Sequence, residues 1–534
     1  MVLPLKGNLV ENSITEQPVS AEYNNARCSI MTNEPIIGGA VIKYIKFTDF
    51  ETLKLYFSED SDTYKAVKGI YSVNTNSILS RINGNMLFIV PYKYNNAVAG
   101  TITTMGFEDR FITTTTQTIN KGEEDEQTIT STTYTFANKK GYLTIQHLDS
   151  EGNVISTYKN YISFNEIQGQ SMEKVVNALN KTDFDCDFEL TTTENKKEVK
   201  ITDHSYGTST TFKVIATTLT PEEVANGYVD FASTSYLDLI DEVSTGGAEG
   251  SGENPVEILN RYQKDIDDSG NKAFYTYHFT TIAKMSASNL LELKQQIAEN
   301  NLVATNTRYN FVKVHQSVAD SVKLKDSKDL TFSVLFSYNP IFDSGVILSF
   351  VLGRKVSEES TYSLSFHNPY NQSLEPSAIK TIGQTSATIL TNNNFEYIGY
   401  FDLNAGWIVK GKEEGSQSED NANIQDFYYR SIPVCVNYAQ SVGGLYKTMK
   451  TIKDVEILLY NFASNYKLNN VIGAVPEEKL VGVPQKIIDS IQSKGVYFEM
   501  PTKLPSENIL SYNTYLGLNG KFVKFKNNIV VFNS

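Results

Sequence analysis

Cysteine is scarce in this 534-residue sequence: Cys28, Cys186 and Cys435 are the whole set, odd in number and widely spaced. That excludes a disulfide framework and suits folding in a reducing cytoplasm. Histidine is scarce too. His147, His204, His278, His315 and His367 show no HxxxH, HExxH or His/Cys cluster, so they read as ordinary structural residues with no metal-ligand signature. A GxSxG elbow and a GxxxxGK(S/T) loop are both missing, which removes the nucleophile-elbow hydrolases and the P-loop NTPases. No apolar run reaches about 18 residues, and the opening MVLPLKGNLVENS lacks the apolar core of a signal peptide. Neither membrane insertion nor secretion is therefore expected. Positive charge is also short: 47 Lys and Arg face 61 Asp and Glu, a net charge of −14. Direct nucleic-acid binding is disfavoured, because phosphates would meet a repelling average surface.

Apolar residues are plentiful at 40%, enough for real cores, and the length fits three or four domains. Tyr (32) and Phe (28) are abundant while Trp407 is the lone tryptophan. Runs such as Thr113–Thr116 and Asn392–Asn394 add β-branched and turn-forming residues, so strands should dominate.

Along the chain, residues 1–25 carry no helical period. Arg27–Thr32 and Gly39–Phe47 read as strands. Asp49 opens a helix with Phe50, Leu53, Tyr56 and Phe57 on one side, a second helix follows Ser61, and Met86–Val90 reads as a buried strand. Residues 95–235 turn Thr-rich and β, with a solvated acidic loop at Lys121–Gln127 and a helix from Ser171. In DFDCDFEL, Asp183, Asp185, Asp187 and Glu189 alternate with Phe184, Cys186, Phe188 and Leu190, the pattern of a strand with one wet face. Ser244–Pro255 reads as a Gly-rich linker or long surface loop, its Pro starting a helix. Strand Ala273–Ala283, a helix capped by Ser286 and strand Arg308–Val314 make a βαβ-like unit with a parallel pair. Another strand and a helix opened by Pro340 follow, then the strand NFEYIGYF. A long helix after Gly444 presents Met449, Ile452, Val455 and Leu459 to a core. KFVKF and IVVF close the chain as short strands.

Three motifs resemble binding sites and have plainer explanations. DIDDSG, from Asp265, starts like a calcium loop, but its twelfth position is Thr276 and the bidentate Glu is missing, so a solvated turn is expected. GGAEGSG lacks a preceding strand and carries Glu249, which would repel a pyrophosphate. The alternating carboxylates are read as the wet side of a strand. No catalytic residue, cofactor or metal is expected, and the chain reads as a structural or interaction protein, not an enzyme.

The run KYIKFTDFETLKLYFSEDSDTYKAVKGIYS (Lys43–Ser72), followed by NMLFIVPY, resembles the contractile-tail sheath proteins of bacteriophages. The matching positions are Phe57, Ser61, Tyr64 and Ala66, the last one place early. GYLTIQHLDSEGNVISTYKNYISF, SMEKVVNALN and DFDCDFELTTTENKKEVKIT are similar to the family's β-rich insertion. AIKTIGQTSATILTNNNFEYIGYF with GWIVKG, and the helix KTMKTIKDVEILLYNF, are similar to its C-terminal part. The last 60 or so residues match least.

The resemblance implies a mixed α/β multidomain fold, an α/β core built from both chain ends with a β-rich inserted domain. On that frame residues 1–25 are an N-terminal arm, 26–94 the first part of the core, 95–243 the outer insertion and 244–255 the Gly-rich linker. Residues 256–518 complete the core with a C-terminal sheath domain, and 519–534 form a C-terminal arm. The implied function is a virion tail sheath, assembled in the host cytoplasm, polymerising around the tail tube and contracting to drive it through the host envelope. Its implied partners are further copies of itself, the tail tube protein, and baseplate and tail terminator proteins. Phe522, Val523, Phe525, Ile529, Val530, Val531 and Phe532 are the candidate strand-donating residues. Lys447, Lys450 and Lys453 recur at three-residue spacing in an acidic chain, which makes them candidates to face an acidic tube. The alternative is a tail baseplate or β-rich receptor- or glycan-binding virion protein, motivated by the aromatic surplus.

Overall fold

The computed structural model describes residues 27–72, 87–104, 112–119, 127–134, 138–164, 172–193, 196–268, 276–303, 308–325, 331–352, 382–401, 406–410, 437–468, 471–506 and 509–518, with six further single positions. The Lys121–Glu126 part of the acidic loop and both terminal arms lie outside them.

The centre is an eight-stranded sheet. Its order is Gly406–Lys410, Tyr397–Phe401, Phe332–Phe336, Arg308–His315, Thr276–Thr281, Arg27–Thr32, Leu87–Pro91, Ile45–Lys46. The six inner strands run parallel and each outermost strand is antiparallel. Parallel strands need both faces covered, which is why Leu87–Val90 is an unbroken apolar run, buried throughout. On one face Ile30, Leu87, Ile89, Val312 and Val314 pack with helices Asp62–Ser72 and Pro340–Leu352. On the other, Phe88, Phe279, Phe311 and Phe336 pack with helices Pro255–Asp268 and Ala287–Val303. The expected parallel pair is present, Tyr277 opposite Tyr309, with the Ser286-capped helix between its strands.

The two helices of the first face touch backbone to backbone. A Cβ on Gly69 would overlap the Phe342 carbonyl oxygen, and one on Gly345 the Ala66 carbonyl oxygen. Asp49 caps the short helix Phe50–Lys54 through the Thr52 N–H at 2.7 Å. The next helix starts on the Glu34 carboxylate, which accepts from the Asp62 and Thr63 N–H groups. The expected strand Gly39–Phe47 shrinks to Ile45–Lys46, because Gly38 and Gly39 take positive φ (77° and 69°) in a tight turn.

Between the two halves of this sheet the chain builds a β-rich unit. Strand Lys140–Asp149 pairs with Val154–Ser163, Thr210–Ile215 and Tyr228–Asp230. Lys196–Tyr206 pairs with Cys186–Thr193 and Ala99–Thr103, and helix Met172–Asn180 packs below. Its core of Leu143, Ile145, Tyr158, Val176, Phe184, Val199, Phe212 and Phe231 is distinct from the two clusters flanking the main sheet.

The Gly-rich segment is not a free linker. Thr245 bridges to Thr101, Ala248 to Val98, and Ser251–Gly252 pairs with Tyr94–Asn95. Ser286 and the Thr208 N–H both bind the Glu249 carboxylate. The glycines serve close approach, since a Cβ on Gly247 would overlap the Gly207 carbonyl oxygen.

The described residues from Phe427 onward bury their apolar side chains against one another. Val455, Leu459, Ala463 and Tyr466 of helix Met449–Leu468 meet Phe427, Val496 and Phe498. Helix Gln485–Lys494 ends on left-handed Gly495, and Val496–Glu499 pairs antiparallel with Asn513–Leu516. Among the described residues no helix is long and apolar enough to cross a membrane.

Candidate functional site

Two regions stand out: a buried polar junction between the β-rich unit and the main sheet, and the exposed face of the late helix.

The junction forms where strand Arg308–His315 ends. The chain turns through Ser317 into helix Asp320–Leu324, and this turn meets Asp185 and strand Lys196–Tyr206 of the β-rich unit. Asp185 accepts the N–H groups of Val318 (3.0 Å) and Ala319 (2.7 Å) and the Ser317 hydroxyl (3.3 Å), and faces His204 Nδ1 at 3.1 Å. His204 Nε2 stands 3.0 Å from Asp187. Asp320 accepts the hydroxyls of Ser205 (2.7 Å) and Thr210 (3.3 Å) and faces His315 Nε2 at 2.7 Å. Asp203 accepts the Ser205 N–H at 3.0 Å and faces His147 Nε2 at 3.3 Å. A second contact lies beside it, where Ser386 gives its hydroxyl and N–H to Asp183, with Tyr338 and Tyr158 bonded to the same serine.

Asp185, Asp203 and Asp320 are all buried, as are His147, His204 and His315. Burial disfavours a charged His147, yet Asp203 and Asp185 outweigh it and its pKa is raised. Burial pushes the Asp185 carboxyl up, but the His204 hydrogen bond and the charges of His204 and His147 pull it below the ordinary value. Asp203 is raised, burial prevailing over His147. Tyr158 and Tyr338 are raised by burial and so stay neutral, and Tyr338 donates to Asp183.

This arrangement holds two units together and offers no reacting group to solvent. Ser156, His147 and Asp203 hold the residue types of a hydrolytic triad with the imidazole turned round, Ser156 Oγ 3.3 Å from Nδ1 and Asp203 on Nε2, and all three are buried. Around Asp320 the order is wrong for a nucleophile, since serine and histidine both bind the carboxylate and not each other. Among the described residues no group of three His, Cys, Asp or Glu side chains is arranged to hold a metal ion.

The structure corrects the reading of DFDCDFEL. Asp187 and Glu189 do face solvent, but the strand begins at Cys186, so Asp185 falls outside the alternation and points inward to the turn. DIDDSG is also not a free turn. Its Asp265 lies in helix Pro255–Asp268 and pairs with Lys43 at 2.9 Å. His147, His204, His278 and His315 are buried, and His367 lies outside the described residues; the convergence of His147, His204 and His315 was not legible, because it depends on strand partners far apart in sequence.

Lys447, Lys450 and Lys453 are exposed. Only the last two lie on the helix, which starts at Met449; Lys447 sits in the preceding turn and donates to the Ser506 carbonyl at 3.0 Å. Ile452, Val455 and Leu459 face the core as expected, whereas Met449 is 36% exposed, because the helix's first turn projects beyond the packed core. Lys450, Lys453, Ile457, Ser464 and Leu468 share the outward face, and Tyr446 stands exposed just before it. Among the described residues Asn513–Leu516 pairs only with Val496–Glu499. Phe522, Val523, Phe525, Ile529, Val530, Val531 and Phe532 lie outside the described residues.

No protein-family model and no curated protein matches the chain. Among solved structures, it is similar to a sheath tail protein of Listeria innocua, with 8% identity and a TM-score of 0.33 over 96% of this chain and 99% of that one. It is also similar to the helical sheath of the anti-feeding prophage in its contracted state, with 11% identity and a TM-score of 0.31 over 53% of this chain and 76% of that one.

Proposed function

We propose that this chain is the structural subunit of a phage-type contractile-tail sheath. The observation that carries the reading is the sequence resemblance anchored in Lys43–Ser72 and NMLFIVPY, a stretch that here forms two helices and an inner strand of the main sheet. Copies join through heterologous contacts that do not close, which yields a helical array around a tail tube. Arms outside the described residues, 1–25 and 519–534, keep subunits connected while they move apart by adding strands to a neighbour's sheet edge. The edge of Asn513–Leu516, directly before the C-terminal arm, suits such pairing. Contraction follows from a metastable extended packing released over a kinetic barrier, without nucleotide. The outward face of Met449–Leu468, with Lys450 and Lys453 beside Ile457, is our candidate contact with the tube, and baseplate and terminator proteins bound the array. The tail sheath would belong to a virion, assembled in the host cytoplasm. Sedimentation of freshly expressed protein tests the polymer: large particles without added cofactor are expected, and a strictly monomeric species at high concentration would refute it.

One observation favours the alternative, a receptor- or glycan-binding virion protein. On the outer face of the β-rich unit Tyr142, Tyr161 and Tyr228 form a ring cluster with centroids 5.8–5.9 Å apart, and Lys159 and Lys140 lie over two of the rings at 4.6 Å. Such rings stack on sugar faces. Glycan-array binding lost in a Tyr142→Ala, Tyr161→Ala, Tyr228→Ala variant would support that reading, and no binding by the intact chain would remove it.

A further inference from the structure

Each half of the junction contributes both carboxyl and imidazole groups. Asp185, Asp203 and His204 come from the β-rich unit, with His147 from its neighbouring strand; His315 and Asp320 come from the main-sheet side. Among the described residues no Lys or Arg pairs with Asp185, Asp203 or Asp320. Three buried carboxyl groups thus face three imidazoles, and a protonated imidazole is what can offset a buried carboxylate here. An uncompensated buried carboxylate is costly, and a buried pair broken from one side is strongly destabilising.

We propose that this cluster is a proton-dependent joint, which clamps the β-rich unit onto the main sheet while its histidines are protonated and loosens as they lose their protons. His147 meets Asp203, Asp185, Ser156 and the ring of Tyr158. His204 meets Asp185, Asp187 and the ring of Tyr338. His315 meets Asp320 and the ring of Phe336. Tyr206 lies near Asp187, Asp62, Asp320 and Asp203, with Lys284 over its ring at 5.9 Å. Lys313, two residues before His315, turns its ammonium to the Ala283 carbonyl instead.

The sign follows from linkage. His147 has a raised pKa, so its contribution is complete below the unfolded value of about 6.5 and is lost as pH rises through the folded value. Asp185 has a lowered pKa, so its contribution is present above about 3.9 and is lost as pH falls through the folded value. Asp203, raised by burial, works against the acid-side loss. The joint is tightest between roughly pH 4 and 6.5 and loosens above neutrality. Two other buried groups act on global stability with the opposite slope. Lys313, lowered to about 7, adds stability as pH rises above that, and His278, lowered to about 4, does so below its unfolded value. A global melting curve mixes these slopes, so the readout must be local.

Amide hydrogen exchange of the full-length chain supplies it, because the N–H groups of Val318, Ala319 and Ser205 are bonded to Asp185 and Asp203. Their protection factors, corrected for intrinsic exchange, should fall at least about tenfold between pH 6 and pH 9. A His147→Gln, His204→Gln variant, which keeps polar side chains without the titrating proton, should flatten that fall to within about twofold. Protection that is flat in the wild-type chain, or equally pH-dependent in the variant, would overturn the proposal. Should the variant not fold, deuterium exchange at the imidazole carbon of the wild-type chain decides the matter. The His147 imidazole should titrate above its ordinary value of about 6.5, and titration below about 6 would overturn the proposal.

Discussion

Replacing Asp185 by Asn tests whether the junction is built as described. The change is nearly isosteric but removes the charge and turns one acceptor into a donor. Asp185 accepts from Val318 N and Ala319 N, from the Ser317 hydroxyl, and pairs with His204. One amide oxygen can satisfy only one side of this set, and the new NH2 then points at donors on the other. At least one buried donor is left unpaired, at about 1–3 kcal/mol, and His204 loses its buried counter-charge. Breaking a buried pair from one side costs about 3–5 kcal/mol, so the total lies near the upper end of that range. For a unit of roughly 150 residues this lowers its Tm by about 10–20 °C. Asp187→Asn is the control: it also pairs with His204, but its side chain is 53% exposed, so under about 1 kcal/mol is expected. Calorimetry with limited proteolysis measures both. Equal, small effects at Asp185 and Asp187 would refute the buried joint and restore the simple wet strand face.

Three further outcomes follow from the packing and the proposed assembly. Gly345→Ala puts a Cβ onto the Ala66 carbonyl oxygen, forces the helices Asp62–Ser72 and Pro340–Leu352 apart, and should cost about 1–3 kcal/mol or more in a urea titration. Truncation after Leu518 should give folded subunits that do not polymerise, and normal polymers from the truncated chain would remove the C-terminal arm from the proposal. Single Lys→Ala changes at Lys447, Lys450 or Lys453 should do little, since exposed charges are worth about 0–1 kcal/mol. The triple change to Glu should uncouple sheath from tube in co-assembly while sheath–sheath contacts persist, and native-length sheath on tube would place this face elsewhere.

The main sheet was legible because its strands obey local rules. Leu87–Val90 is continuously apolar, Asp49 and Ser286 are helix caps, and Pro340 starts a helix at its first position. The junction was not, because its parts lie at 147, 185, 203–204 and 315–320 and meet only through tertiary pairing. A stranded His in a sequence carries no mark of the carboxylate it will find. Asp185 was misplaced because alternation extended one turn of the pattern past the start of a strand. The contacts of the Gly-rich segment were not legible because glycine that permits flexibility and glycine that permits contact look alike until the partner, here Gly207, is known.

Helical polymerisation of this chain is decided by electron microscopy of the purified full-length protein. Long hollow tubes with a regular helical repeat are expected, formed without nucleotide or metal. Discrete monomers or trimers at the same concentration would contradict it.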